Sequence, residues 1–304
     1  RTIKTPAFRG MITDRNGAPL AVSTPVFSVW ANPKDFSNSD QDIQVLSKLL
    51  GLSPGYLKKH FDLYQNKSFM YLKRNANPHI ANRVKDAAIP GVYLQQQFKR
   101  YYPEGEVTSQ LIGFTNIDDQ GQEGLGLAYN RWLTGKSGEQ LVSKDLKGNV
   151  VAILQDMKQQ EPGHDLTLSI DKRIQFLTYQ ALNEAVQHFK AESGSAVVLN
   201  VKTGEVLAMV NQPSFNPNDH SQGYSSNYRN RAVTDVFEPG STMKAFSIMS
   251  ALDSGEYTPE TIVDTKPGWL KVDHNWVHDE IDNGVIDVTQ VLQKSSNVGV
   301  AKMT

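Results

Sequence analysis

Residues 237–252 read FEPGSTMKAFSIMSAL. A Pro239-Gly240 break is followed at once by Ser241, and Lys244 comes three residues later at the head of an apolar run. Positions i and i+3 share a helical face with Cβ atoms about 5–6 Å apart, so an amine at 244 can reach a hydroxyl at 241. A serine hydroxyl is a poor nucleophile until a base takes its proton. Lysine is such a base only where burial or a nearby cation favours its neutral form. Ala245, Phe246, Ile248, Met249, Ala251 and Leu252 are apolar on nearly every side, which predicts a buried helix around Lys244. A helix N-terminus would also favour negative charge developing at Ser241. The competing reading is that a serine after Pro-Gly is an N-cap, and on spacing alone the cap is favoured.

A second stretch shifts that balance. In VLQKSSNVGVAKM, Ser295-Ser296-Asn297 interrupts two apolar-periodic segments and so sits in a short loop between helices. A hydroxyl and an amide held there can face a buried Ser-Lys pair. Ser295 could relay a proton to a leaving group, and Asn297 could hold a substrate amide or the lysine. Ser-x-Asn alone carries almost no information, since Ser225-Ser226-Asn227 repeats it in a polar loop, where it reads as loop chemistry.

Upstream of this region, DLTLS reads as a strand and Asp171 to about Lys190 as a helix with Ile174, Leu177, Ala181 and Ala185 at helical spacing. SAVVLNVKTGEVLAMV reads as two antiparallel strands around a Lys-Thr-Gly-Glu tip, with a polar loop from Asn211 to about Asn230 after it. Helix, sheet hairpin and second helix make an α/β or α+β domain with a buried central helix. The stretch KQQEPGHD is a polar Pro-Gly segment and a plausible boundary, which gives domains at 1–160 and 161–304.

The first domain is mixed. RGMITDRNGAPLAVS predicts a hairpin turning at Asn16–Gly17. QDIQVLSKLLG and PGYLKKHFDLYQN predict helices, while FMYLKR and GVYLQQQFKRYYP predict extended chain. EGLGLAYNRWLTG predicts a helix stopped at Gly135, and residues 139–156 a hairpin around Lys147–Gly148–Asn149.

Bulk properties narrow the function. Lys+Arg 31 against Asp+Glu 32 leaves a net charge of −1, so there is no basic field for nucleic acid. The absence of cysteine excludes disulfides, thiol catalysis and thiolate metal sites, and suits an oxidising compartment. No run approaches the roughly 18 apolar residues of a membrane span.

Ser241-x-x-Lys244 followed by Ser295-x-Asn297 matches, in order and separation, the first two motifs of penicillin-binding proteins and class A β-lactamases. The likeness extends to RGMITDRNGAPLA, IPGVYLQQQFKRYYPEGE, GQEGLGLAYNRWLTGKSGEQ, SGSAVVLNVKTGEVLAMVNQPSFNPN and RNRAVTDVFEPGSTMK. Over essentially the whole chain the sequence resembles the class B penicillin-binding proteins, and among them the septal D,D-transpeptidases of Gram-negative bacteria. The resemblance implies an α+β fold, with an elongated pedestal domain followed by the N-terminal part of a serine acyl-enzyme transpeptidase domain. It implies Ser241 as the acylated serine, Lys244 as its general base, and Ser295 and Asn297 as the second motif. It implies cross-linking of D-Ala-D-Ala stem pentapeptides to a second stem amine, with β-lactams acylating Ser241 and no metal or organic cofactor. Partners implied are a septal glycan polymerase and other division proteins, and the implied location is the periplasmic face of the inner membrane through an anchor upstream of Arg1. The alternatives are a related D,D-carboxypeptidase or β-lactamase, and a non-catalytic divisome scaffold.

The family also carries a Lys-Ser/Thr-Gly strand downstream of Ser-x-Asn, so the chain is expected to continue past Thr304, and residues 1–304 alone are not expected to catalyse. Lys202-Thr203-Gly204 and Lys136-Ser137-Gly138 imitate that triplet but read as ordinary turns. Where the family often has Val-Lys-Pro and a Glu, this chain has Met243-Lys244-Ala245 and Gly126. His274 and His278 read as loop and strand rather than zinc ligands, Asp279, Glu280 and Asp282 as a solvated turn, and Arg9, Arg15 and Arg74 as ion-pair or loop anchors.

Overall fold

The computed structural model describes residues 2–37, 39–144, 150–219, 221 and 226–304. It divides into two compact units, Arg1–Asp235 and Val236–Thr304.

In the first unit the strands are β1 (Thr2–Thr5), β2 (Ile12–Thr13) and β3 (Pro19–Ala31). Asp14 makes the β2–β3 turn: its Oδ1 accepts from the Asn16 and Ala18 N–H groups, both at 2.8 Å. Gly17 supplies the left-handed φ of 82° that the turn requires. Ser39 caps α1 (Asp40–Leu50) and Ser53 caps α2 (Pro54–Tyr64), each through its hydroxyl, with Pro54 in the first turn where a missing N–H costs nothing. Then come β4 (Met70–Ala76), α3 (Pro78–Ala87) and β5 (Val92–Tyr101). β3 lies between β5 and β4, antiparallel to both. Val29, Ala31, Met70 and Leu72 of this sheet pack with Ile43, Leu46, Leu50, Leu57 and Phe61 of the helices as the core.

The stretch expected as one helix to Gly135 is instead broken. After α4 (Ser109–Ile112) it forms α5 (Gly124–Ala128) and α6 (Asn130–Leu133). Gly135 lies beyond the helix as a close-packing residue, because a Cβ there would stand 2.8 Å from the Phe8 carbonyl oxygen. β6 (Gly138–Lys144) pairs antiparallel with β7 (Val150–Lys158) and with β1. The predicted tip at Lys147–Gly148–Asn149 lies outside the described residues.

DLTLS contracts to β8 (Leu166–Thr167), which adds parallel to β2. Asp171 caps α7 (Lys172–His188). β9 (Gly194–Leu199) and β10 (Val206–Gln212) form the expected antiparallel pair. Gln175 of α7, fully buried, donates to the Val107 and Met209 carbonyls and accepts from the Met209 N–H, which pins the helix onto β10. The unit closes with α8 (Arg231–Thr234).

The second unit opens with a 3₁₀ turn at Gly240–Met243 running into α9 (Lys244–Asp253). β11 (Ile262–Asp264) pairs with β14 (Val285–Asp287), and β12 (Trp269–Val272) with β13 (Asn275–His278). α10 (Val288–Gln293) carries a reciprocal Asp287–Gln290 capping box, and α11 (Asn297–Met303) is capped by Ser296. Ile248, Ala251, Val263, Ile286, Val288, Val291 and Met303 form the core. The expected burial around Lys244 is not met. Only Ile248 and Ala251 of α9 are buried, while Phe246 and Met249 are 57% and 58% exposed. An apolar run tells that a helix wants cover on several sides, not that residues 236–304 supply it.

Candidate active site

Ser241 lies inside the 3₁₀ turn, after Gly240 at φ 60°. Neither that turn nor α9 has a side-chain cap. The cap reading of Ser241 therefore fails, and the hydroxyl stands exposed at the entrance of the helix whose first residue is Lys244.

Lys244 Nζ donates to the Ser295 carbonyl at 2.5 Å and to Ser295 Oγ at 2.9 Å. This is the contact between the two motifs. Ser295 can offer both acceptors because its backbone is left-handed, φ 53°, in the short link between α10 and α11. Both of these contacts of the amine are thus made to one residue, Ser295. The lysine contact that was open to Asn297 is thus made by Ser295.

Asn297 donates from its side-chain amide to the His278 carbonyl at 2.6 Å. Ser296 is buried, donates to Asp279 Oδ2 at 2.6 Å, and accepts from the Gly299 N–H at 2.8 Å. The sequence reading missed Asp279. Its Oδ1 accepts from the Asn297 and Val298 N–H groups at 2.5 and 3.0 Å, and its Oδ2 also accepts from Asn283 Nδ2 at 3.0 Å. Burial works against the charged form, yet these hydrogen bonds outweigh it and hold the carboxyl below its ordinary pKa. The carboxylate closes the otherwise open N–H groups at the start of α11 and fixes the loop that holds Lys244. A solvated turn describes Glu280, which is exposed, but not Asp279. No local signal marked Asp279, since its partners in the second motif and α11 lie 17–19 positions downstream.

The imitating triplets both belong to the first unit. Lys202-Thr203-Gly204 is the β9–β10 tip, closed by Gly204 N–H to Asn200 O at 2.8 Å. Lys136 forms an isolated bridge and an ion pair with Glu161 at 2.7 Å. Ser225 lies outside the described residues. His274 sits in the β12–β13 turn and His278 at the end of β13. No group of three or more His, Cys, Asp and Glu among the described residues could hold a metal. The arginines anchor as expected. Arg9 donates to the Gly126 and Asp119 carbonyls and to Thr134, Arg74 pairs with Asp118 at 2.6 Å, and Arg15 reaches Glu205 at 3.5 Å.

Residues 4–168 match the penicillin-binding protein dimerisation domain, and residues 194–304 the penicillin-binding protein transpeptidase domain. A probable peptidoglycan D,D-transpeptidase PbpC from Pseudomonas aeruginosa is 43% identical over all of this chain and 54% of its own length. Peptidoglycan D,D-transpeptidase FtsI of Escherichia coli K12 is 44% identical over 97% of this chain and 50% of its own. The fold is that of penicillin-binding protein 2X from Streptococcus thermophilus, with a TM-score of 0.74 and 24% identity over 100% of this chain and 50% of that one. The chain belongs to the class B penicillin-binding proteins, with the dimerisation and transpeptidase domains that define them. It spans about half the length of the curated relatives it matches.

Proposed function

We propose that the protein is a peptidoglycan D,D-transpeptidase of the septal type, acting through a serine acyl-enzyme. The observation that carries this reading is the Lys244 amine held on Ser295 at the mouth of the helix that follows Ser241. Ser241 Oγ attacks the carbonyl of the penultimate D-Ala of a stem pentapeptide while Lys244 takes its proton. The C–N bond breaks, and the proton passes through Ser295 to the departing D-Ala amine. An amine of a second stem then attacks the ester, a new amide forms, and the proton returns to Ser241. Asn297 orients the amide side of the acyl group.

β-Lactams acylate the same serine, since they present a strained amide in the place of the stem peptide, which makes the protein an antibiotic target and a point of resistance. Its place is the periplasmic face of the inner membrane, held by an anchor outside these residues, with a septal glycan polymerase and other division proteins as partners. Among the described residues no helix is long and apolar enough to cross a membrane. We keep the pedestal boundary near residue 160, in the Pro-Gly stretch at the end of the dimerisation match (residues 4–168) and before the transpeptidase match (residues 194–304).

The test is the intact mass of the full-length protein before and after benzylpenicillin, beside a Ser241→Ala variant. A persistent penicilloyl adduct that vanishes in the variant is the expected result. An adduct that forms and is released points to a β-lactamase. No adduct at all leaves a scaffold.

A further inference from the structure

The hairpin of β12 and β13 carries an aromatic and cationic face. Its register pairs Trp269 with His278 and Lys271 with Trp276. Directly paired residues of an antiparallel pair, and residues two apart on one strand, share a face. Trp269, Lys271, Trp276 and His278 therefore stand on one side of the hairpin, and all four are exposed. Leu270 and Val277, on the other side, are half-buried. The Trp269 and Trp276 rings meet edge to face with centroids 5.0 Å apart, yet the residues stay 47% and 52% exposed. Lys271 Nζ lies 5.7 Å from the centre of the Trp276 ring. Among the described residues it makes no ion pair.

An indole pair steadies a hairpin by ring contact, but that contact calls neither for a cation beside the second ring nor for a face without acid. Neither strand, WLKV or NWVH, carries a carboxylate. Asp273 lies in the turn, and Asp279 is taken up by the second motif. Scattered apolar side chains are ordinary on a surface. Two touching, half-exposed indoles with an ammonium group free of carboxylates are instead an aromatic wall with polar partners, the composition of a ligand site. The hairpin is also joined to the candidate active site. The His278 carbonyl accepts from the Asn297 side chain at 2.6 Å, and Asp279, the next residue, holds Ser296 and the N–H groups of Asn297 and Val298. A ligand on this face therefore reaches the residue whose backbone holds Asn297.

We infer that this face binds saccharide, namely the glycan strand whose stem peptide enters the Ser241 site. The C–H side of a pyranose ring packs on an indole as an aliphatic surface does. The hydroxyl and acetamido groups of the sugar take hydrogen bonds from Lys271 and from the His278 ring. The stems along a strand end in carboxylates, which suits a face with a cation and no acid. Contact made here, outside the reacting bond, holds the stem in place for Ser241. The identity of the saccharide rests on the transpeptidase reading, and the site itself rests on the hairpin.

The probe is tetra-N-acetylchitotetraose, titrated into the full-length protein by calorimetry and followed in parallel by tryptophan emission. The sugar-free control is diacetyl-L-Lys-D-Ala-D-Ala. The saccharide binds at millimolar concentration and shifts the emission, and the peptide leaves the emission where it was. By calorimetry Trp276→Ala weakens the saccharide by about tenfold. Lys271→Gln weakens it several-fold, and Trp276→Phe, which keeps a ring, recovers most of the loss. No saccharide binding by the parent, undiminished binding in Trp276→Ala, or a peptide that shifts the emission as the saccharide does overturns the inference. The two readings fail separately. A penicilloyl adduct without saccharide binding removes the glycan face alone, and saccharide binding without an adduct removes the acyl-enzyme alone.

Discussion

Asp14 and Asp279 do the same local work in different units. Each is a carboxylate that accepts at both oxygens, joins a turn to the start of a helix, and is held below its ordinary pKa by those bonds in spite of burial. Asp14 Oδ1 closes the β2–β3 turn, and Oδ2 accepts from the Lys172 N–H at the start of α7. It is 1% exposed and belongs to the first unit, whereas Ser241, Lys244 and Ser295 belong to the second. Asp279 fastens α11 and Ser296, one residue from the acceptors of Lys244. A charge at a helix start thus becomes functional through what the next residue holds, not through its own environment.

The comparison can be broken at several strengths. Replacing Lys244 with Ala removes the proposed base, and the benzylpenicillin acylation rate should fall by about 10³-fold in stopped-flow measurements. Asp279→Asn keeps the shape but turns a donor toward N–H groups, so the loop shifts and acylation slows by about tenfold. The same variant should alter the acid limb of unfolding. The Asp279 pKa in the folded protein is below its ordinary value, so its stabilisation is present above that ordinary value. It is lost as pH falls through the lower folded value, and Asp279→Asn should flatten that limb in pH-dependent melting. Asp14→Ala should cost about 2–3 kcal/mol of stability in urea unfolding, since it opens charge-assisted hydrogen bonds in the interior. Its acylation rate should stay within about twofold of the parent. A slowed acylation in Asp14→Ala, or an unchanged one in Asp279→Asn, would erase the distinction between the two carboxylates.

The two carboxylates also mark how far the sequence can be read. The Asp14 turn was legible because Asn16-Gly17 lies between apolar stretches, and its φ requirement is local. The α1 and α2 helices were legible as helical patterns in QDIQVLSKLLG and PGYLKKHFDLYQN, while their caps, Ser39 and Ser53, emerge from the structure. Ser241 and Lys244 were legible as a pair by spacing, and Ser295 by its break in an apolar pattern. Asp279 was hidden because its role depends on the β12–β13 hairpin bringing it back to the start of α11, a contact no periodicity encodes. The exposed flank of α9 was misjudged because hydrophobicity reports a demand for cover, not its source. The break between α5 and α6 escaped because Tyr129 ends one helix while it begins the next.

Ser295 turns its backbone left-handed and so presents a carbonyl and a hydroxyl to one amine. Two acceptors that could have come from two side chains are folded into a single codon. A replacement without a hydroxyl keeps only half of the lysine's anchorage, and a glycine, though at ease in that conformation, is no exception. Variation that tunes the proposed chemistry therefore has room around the second motif, at positions such as Asp279 and Asn283, but very little within its first residue.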